Sequence, residues 1–145
     1  VVGIAARCVC GAPTVVATRP RLSNGTPFPT LYYLSHPAAT AAVSRLEADG
    51  RMAEFTAMLA EDSELAGQYR AAHEAYLADR RQLLDVPEID DYSAGGMPTR
   101  VKCLHALVGH SLAVGPGLNP IGDRALAECG WTPEVCACTP DLRGS

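Results

Sequence analysis

The segment from residue 37 to residue 84 constrains the fold most, because its pattern predicts three helices in succession. Pro37 suits the first turn of a helix, with Ser35 or His36 at the cap, and Gly50 ends the alanine-rich stretch that follows. The second, shorter helix carries its large apolar side chains on one side: Met52, Phe55, Met58 and Leu59. The middle of the chain is therefore predicted to be helical.

The third helix of this segment is the longest, with a cap at Asp62 or Ser63 and an end near Leu84. Its apolar side chains recur at three- and four-residue steps and form one stripe for a buried core: Leu65, Tyr69, Ala72, Tyr76 and Leu83. We expect the two tyrosines to pack in the core with their hydroxyls at its rim, rather than to form a ligand box.

The N-terminal third carries a hairpin signal at Asn24-Gly25, a dipeptide that accepts the positive φ values of a tight turn. Apolar β-forming residues lie on both sides of it, at 15–17 and 28–34. Several prolines in this region cannot donate ladder hydrogen bonds, so we place the strands at a sheet edge or at bulges. The N-terminal third of the chain is therefore predicted to form a β-hairpin or a small antiparallel sheet.

Two further helices are predicted after a loop at residues 85–99. One runs from about Arg100 to Val114 and ends at Gly115-Pro116-Gly117, and Asp123 caps a last one that ends near Cys129. The predicted fold is α+β, with the N-terminal hairpin or sheet packed on a mostly helical body of about five helices. Residues 1–129 form a single domain in this prediction, and residues 130–145 form an irregular C-terminal tail.

Charge is distributed unevenly along the 145 residues. The residues before Glu47 contain four arginines and no acid (+4), and the rest contains 16 acids against 8 basic residues (−8), which gives a net charge of −4. The basic N-terminal part is either held to the acidic remainder by electrostatic attraction, or it attracts an anion. The overall acidity disfavours extended duplex nucleic acid as a partner.

No apolar run reaches the ~20 residues of a membrane span, and no signal peptide is evident, so we expect a cytoplasmic protein.

A glycine-rich loop before the predicted helix at residue 100 is typical of an anion site, because backbone N–H groups and the helix dipole face the loop. Arg100 and Lys102 in the first turn are disfavoured there unless an anion or a carboxylate such as Asp90 or Asp91 offsets them. The predicted anion-binding residues are Arg19, Arg21, Gly95, Gly96, Arg100 and Lys102. The expected ligand is a phosphate-containing small molecule or an acidic protein segment. No Walker pattern is present, so a nucleotide is not implied.

Six cysteines permit either disulfides or a metal, and without a secretory signal a disulfide scaffold is the less favoured choice: Cys8, Cys10, Cys103, Cys129, Cys136 and Cys138. Cys8-x-Cys10 followed by Gly11 resembles a metal-binding knuckle. On a helix, Cys103 and His110 share a face but are about 10.5 Å apart along the axis, so a zinc ion there needs ligands from elsewhere. The candidate zinc ligands are Cys8, Cys10, His36 and Cys103. Buried thiols without metal, and a four-thiolate set completed by Cys136-x-Cys138, stay open.

Four residues are considered for catalysis. His105 and His110 are possible general bases, and Asp123 is a possible acid or base that helix capping also explains. Cys103 is a possible nucleophile, but on a helix Cys103 and His105 point in different directions and cannot act as a pair. Packing against the core is the usual role of a histidine at the border of an apolar face.

Three blocks carry a family resemblance: "RCVCGAP", "TPFPTLYYLSHP" and "GGMPTRVKCLHALVGHSLAVGPGLNPIGDRAL". They resemble an uncharacterised actinobacterial family, the domain of unknown function numbered five hundred and one, over about residues 3–128. The resemblance emphasises these positions: Cys8, Thr30, Tyr32, Tyr33, His36, Arg100, Cys103, His105, His110, Asn119, Gly122 and Asp123.

The resemblance implies no activity. Genes of the family are typically found near those for enolase, a septum-formation initiator and an exopolyphosphatase-like enzyme, which implies cytoplasmic housekeeping linked to division or phosphate metabolism. Three functions are carried forward: an anion-binding module, a zinc-dependent hydrolase that uses Cys8, His36 and Cys103 with His110 as base, and a structural partner of the division machinery.

Overall fold

The structure, a computed structural model, describes residues 2–136. It contains a three-stranded sheet and five α-helices, which confirms the predicted α+β fold. The elements in chain order are β1 (Gly3–Arg7), β2 (Pro13–Ala17), β3 (Tyr32–Leu34), α1 (Pro37–Ala48), α2 (Arg51–Glu61), α3 (Ser63–Leu83), α4 (Leu104–Val114) and α5 (Pro120–Glu128). Among these residues no helix has both the length and the apolar character that a bilayer crossing requires.

The sheet is antiparallel in the order β1-β2-β3. Strands β2 and β3 pair as expected, with Val15 opposite Leu34. Asn24-Gly25 does not join them directly: it lies in a small turn inside the long connection between them, beside a single bridge between Arg21 and Pro27. The tight hairpin is instead β1–β2, which the hydrophobic pattern did not predict because β1 is short and largely exposed.

The structure confirms the predicted helix boundaries that capping residues or a glycine at the boundary determine. The His36 Nδ1 atom accepts the N–H of Ala38 at the start of α1, and Asp62 caps α3 through the N–H of Leu65. Gly50 follows the end of α1 with a φ of 83° that few other residues adopt. The cap predicted for the last helix was wrong, because Asn119 rather than Asp123 caps α5 by accepting the N–H of Gly122.

The apolar stripe of α3 forms much of the core, as predicted, except that Leu83 is exposed where the helix ends. The tyrosine hydroxyls are not at the rim. Tyr76 Oη accepts the N–H of Leu31 at 2.6 Å, and the Tyr69 hydroxyl donates to the carbonyl of Arg100 at 2.8 Å. Both residues are completely buried, so their hydroxyls fix two loops to the core from inside.

Helix α4 is central and begins at Leu104, four residues later than predicted. The residues before it are not helical, because their N–H groups bind elsewhere: Lys102 donates to the carbonyl of Gly95 at 2.7 Å, and Val101 donates to the hydroxyl of Thr56 at 3.0 Å. Gly109 lets α4 pack closely on β3, since a Cβ at this position would lie 2.7 Å from the carbonyl oxygen of Tyr32.

Candidate metal centres and anion site

Three cysteines meet where the β1–β2 turn contacts the C-terminal segment. Cys8 and Cys10 lie in the turn, Cys136 lies near the end of the described chain, and their sulfur atoms are all within 4.8 Å of one another. Cys8 is buried and the other two are partly exposed. Gly11 closes the turn with a φ of 94°, and its carbonyl accepts a hydrogen bond from the guanidinium of Arg7 at 2.7 Å. The local sequence therefore supplies two of the three thiols of this cluster.

The C-terminal segment is held against this turn by contacts besides the thiols. The N–H of Val9 donates to the carbonyl of Pro133 at 2.8 Å. Trp131 is buried and its ring centroid lies 5.4 Å from that of His36. These contacts position Cys136 beside the turn.

The predicted set of Cys8, Cys10, His36 and Cys103 is not brought together. Cys8 and Cys10 have Cys136 as their neighbour, while His36 caps α1 and packs on the ring of Trp131. Burial lowers the pKa of His36, so the ring is neutral at pH 7. Cys103 lies instead in a second group of metal-ligating side chains, at the start of α4.

This second group consists of Glu47, Cys103 and His105, whose ligand atoms are also within 4.8 Å of one another. The expectation that Cys103 and His105 point apart was wrong, because it assumed that Cys103 is helical. Cys103 is the extended N-cap residue of α4, with φ −150° and ψ 107°, and this conformation allows its thiol to approach His105. Glu47 reaches the pair from α1.

Hydrogen bonds fix the ring of His105 and the carboxylate of Glu47. Glu47 Oε2 accepts the N–H of Leu104 at 2.9 Å and lies 3.1 Å from His105 Nδ1. His105 Nε2 lies 3.3 Å from the carbonyl oxygen of Thr40 and 3.1 Å from the hydroxyl of Ser44. Both ring nitrogens therefore face groups on α1.

His110, the other candidate base, is completely buried. Asn119 Oδ1 accepts the N–H of Gly122, which points the amide Nδ2 of Asn119 at His110 Nδ1, 3.1 Å away. His110 Nδ1 is thus the acceptor, and burial lowers the pKa of the ring to about 4. The rings of Tyr32 and Tyr76 pack against it. This histidine is neutral at pH 7 and has no route to a substrate.

The catalytic candidates lie in three separate places. His105 is at the start of α4 and His110 is in the core, while the Asp123 carboxylate accepts the N–H of Gly117 at 2.9 Å. The arrangement suggested for a zinc hydrolase, with His110 as base, is therefore not assembled.

The residues predicted for an anion site line two different concavities. Arg19 and Arg21 lie along one, beside Tyr33 and Leu84. Arg21 is already paired there, because its guanidinium binds both carboxylate oxygens of Glu88 at 2.8 Å.

The glycine loop lines the other concavity, of about 580 Å³, together with the carboxylate-bearing Glu88 and Asp91. Arg100 and Lys102 are exposed and form no ion pair within residues 2–136. Asp90, proposed as their partner, binds Arg81 instead. Neither cation is in the first turn of α4, so the predicted conflict with the helix dipole does not arise.

The glycines of this loop have a structural explanation as well. Gly95 and Gly96 have φ values of 64° and 93°, and a Cβ at Gly95 would lie 2.9 Å from the carbonyl oxygen of Cys103. Their N–H groups donate no hydrogen bond to any residue in the described part of the chain. The loop thus offers two amides and two nearby cations beside two carboxylates.

Residues 4–127 match the family described as "Protein of unknown function (DUF501)". The chain belongs to this family. The family match includes Cys8, Cys10 and the whole of the Glu47–Cys103–His105 group, and it ends before Cys136. No curated protein and no solved structure matches the chain. Membership of the DUF501 family carries no activity, so the geometry of the sites is the basis for a function.

Sequence reasoning left one residue of these groups, Cys136, as an open alternative and missed another, Glu47. Cys136 had a signal, since Cys136-x-Cys138 repeats the spacing of Cys8-x-Cys10. Cys138 lies outside the described residues. Glu47 had no signal, because nothing in the sequence indicates that the end of α1 meets the start of α4.

Proposed function

We propose that the protein binds zinc through Cys8, Cys10 and Cys136, and that the metal fastens the C-terminal segment to the β1–β2 turn. The approach of three sulfur atoms within 4.8 Å carries this proposal. Sulfurs at ~2.3 Å from a tetrahedral zinc ion are about 3.8 Å from one another. The side chains need only a small closing movement to reach that geometry.

The ligand chemistry favours zinc over harder cations. Thiolates are soft ligands, whereas magnesium and calcium take oxygen ligands. A divalent ion also offsets the mutual repulsion that three thiolate ligands have at this separation. The sequence supplies a further thiol at Cys138, which would complete the four-thiolate set of a closed structural site.

Elemental analysis of protein purified without a histidine tag tests the proposal. We expect zinc bound to the intact chain, and loss of that zinc in the variants Cys8→Ser and Cys136→Ser. Cys129→Ser is the matched control, because Cys129 is a buried cysteine that lies in neither metal-ligating group of the described residues and whose thiol donates to backbone carbonyls. A cysteine cluster that is oxidised to a disulfide in freshly purified protein, or that binds no metal after reduction, contradicts the proposal.

A second candidate function is binding of a phosphate-type anion or an acidic protein segment at the 95–102 loop. The observation that favours it is that Arg100 and Lys102 form no ion pair with a described residue and lie beside the Gly95 and Gly96 amides in one concavity. Arg19 and Arg21 are not needed for this smaller site. Partnership with the division machinery has no comparable observation and stays a prediction.

Thermal denaturation in phosphate and in chloride of equal ionic strength tests the anion site. We expect phosphate to raise the melting temperature of the wild type and to have no such effect on the Arg100→Ala/Lys102→Ala variant. Arg45→Ala, which removes another exposed arginine, is the matched control and should keep the response. A wild type that responds equally to both salts excludes the anion site.

A further inference from the structure

The start of α4 carries a group of side chains that the zinc proposal does not use. Glu47, Cys103 and His105 present a carboxylate, a thiol and an imidazole within 4.8 Å of one another. We propose that they form a second metal site, which takes a zinc-class divalent ion and leaves one coordination position open to solvent. This inference is independent of the thiol cluster at the β1–β2 turn.

The spacing of the donor atoms fits such an ion. Oxygen and nitrogen ligands at about 2.0–2.1 Å from a tetrahedral ion are about 3.3 Å apart, and Glu47 Oε2 lies 3.1 Å from His105 Nδ1. A proton between the two atoms makes this contact a hydrogen bond. An ion that takes the place of that proton would have these two ligand atoms close to the separation it requires.

The surroundings of His105 match those of a metal-ligating histidine. Such a histidine donates its second ring N–H to a carbonyl or carboxylate, which fixes the tautomer. Here Nε2 faces the carbonyl oxygen of Thr40 at 3.3 Å and the hydroxyl of Ser44 at 3.1 Å. When Nε2 carries the proton, the lone pair of Nδ1 faces Glu47, where the ion would lie.

The carboxylate is held by a contact of the same kind. The N–H of Leu104, in the first turn of α4, donates to Glu47 Oε2 at 2.9 Å. The ligand oxygen therefore keeps its position before an ion arrives. A ligand that is already ordered loses less conformational freedom on binding.

This group differs from the thiol cluster in its mixed ligands and in having no buried member. The side chains of His105 and Glu47 are 25% and 23% exposed, and Cys103 is also partly exposed. Three protein ligands at a solvent-facing position leave room for a water molecule as the fourth, which is the coordination of reactive rather than structural zinc sites. The thiols of Cys8, Cys10 and Cys136, by contrast, supply a thiol-only set.

Cobalt titration tests the second site, because cobalt(II) replaces zinc and reports thiolate ligands by charge-transfer absorption. The protein for this test carries Cys8→Ser, Cys10→Ser, Cys136→Ser and Cys138→Ser, so that Cys103 and the buried Cys129 are the cysteines left. We expect one cobalt ion per chain with four-coordinate d–d bands. Cys103→Ser in this background should remove the charge-transfer band, and Glu47→Gln should weaken binding about tenfold or more. Glu61→Gln, an exposed glutamate of α2, is the matched control.

A charge-transfer band that is absent, or that survives Cys103→Ser, overturns the inference. A background protein that does not fold is replaced by the wild-type chain, in which Cys103→Ser should lower the bound cobalt by one ion. Failure of the thiol cluster alone gives one cobalt ion in the wild type and the same band in the background protein. Failure of the second site alone gives a wild type whose cobalt content is unchanged by Cys103→Ser.

Discussion

The β1–β2 turn and the start of α4 each gather cysteine with other metal-ligating groups, but the rest of the fold supports them differently. At the turn, Cys136 comes from a segment distant in sequence, which the hydrogen bond from Val9 to Pro133 and the buried ring of Trp131 hold in place. At the start of α4, Glu47 is already fixed to Leu104 and His105 by hydrogen bonds. A metal would therefore organise the first region and add to an existing arrangement in the second.

Metal removal should have the largest effect and should act on the turn. A zinc ion at about a thousand times its dissociation constant stabilises the folded state by about 4 kcal/mol, and a chelator removes that contribution. We expect a lower melting temperature and faster proteolysis after Trp131, with the helical core intact by circular dichroism. Cys129→Ser should respond to chelator as the wild type does. Equal melting temperatures with and without chelator would mean that no metal organises the turn.

The second-largest effect is expected at acid pH. It comes from His110, a histidine of α4 that belongs to neither metal site. Burial lowers the pKa of His110 from 6.5 to about 4, so the unfolded chain binds a proton that the folded chain refuses in this range. The contribution to stability is complete above about pH 6.5 and is lost as the pH falls toward 4. The loss amounts to about 3 kcal/mol.

Urea denaturation at several pH values, with chelator present throughout, measures this loss. His110→Asn should show a smaller decline in the free energy of unfolding between pH 6.5 and pH 4 than the wild type. Burial also lowers the pKa values of His36 and His73, and both proteins keep these residues, so the difference isolates His110. Parallel pH profiles would show that His110 is not a buried neutral ring.

Glu47→Ala should cost about 1–2 kcal/mol, because it removes the acceptor of the Leu104 N–H at the start of α4. If hydrogen bonds rather than a metal organise this region, the loss is the same with and without chelator. Glu47→Gln keeps an acceptor and should retain most of the stability, and Glu61→Ala is the surface control. A loss of stability seen only in the absence of chelator would mean that a metal, rather than hydrogen bonds, organises the start of α4.

The smallest effect is expected from substitution of Arg21, one of the arginines that were predicted from the sequence to bind the anion. Arg21 and Glu88 form an exposed pair, and such pairs contribute little. Arg21→Ala should leave the melting temperature within the error of the measurement and should leave any phosphate response unchanged. A lost phosphate response would restore Arg21 to the site.

The sequence predicted structure best where the physical cause lies within a few residues. The caps at His36 and Asp62, the end of α1 before Gly50 and the buried stripe of α3 each depend on neighbours along the chain. The same holds for Cys8 and Cys10, which one turn brings together.

Predictions failed where distant residues decide the conformation. Helix α4 starts late because Gly95 and Thr56 accept N–H groups that a helix would have used. That delay makes Cys103 extended and brings it to His105 and Glu47, a grouping that a helical wheel excludes. The helix-dipole argument for the anion site also assumed that α4 begins at Arg100.

Anomalous diffraction at the zinc absorption edge, from crystals of the untagged protein, tests the central claim most directly. The account predicts a peak among the sulfur atoms of Cys8, Cys10 and Cys136, and a second peak between Glu47, Cys103 and His105 in crystals soaked with zinc. Crystals from zinc-supplemented protein that show no peak at the turn, with the three thiols apart or joined as a disulfide, would contradict it.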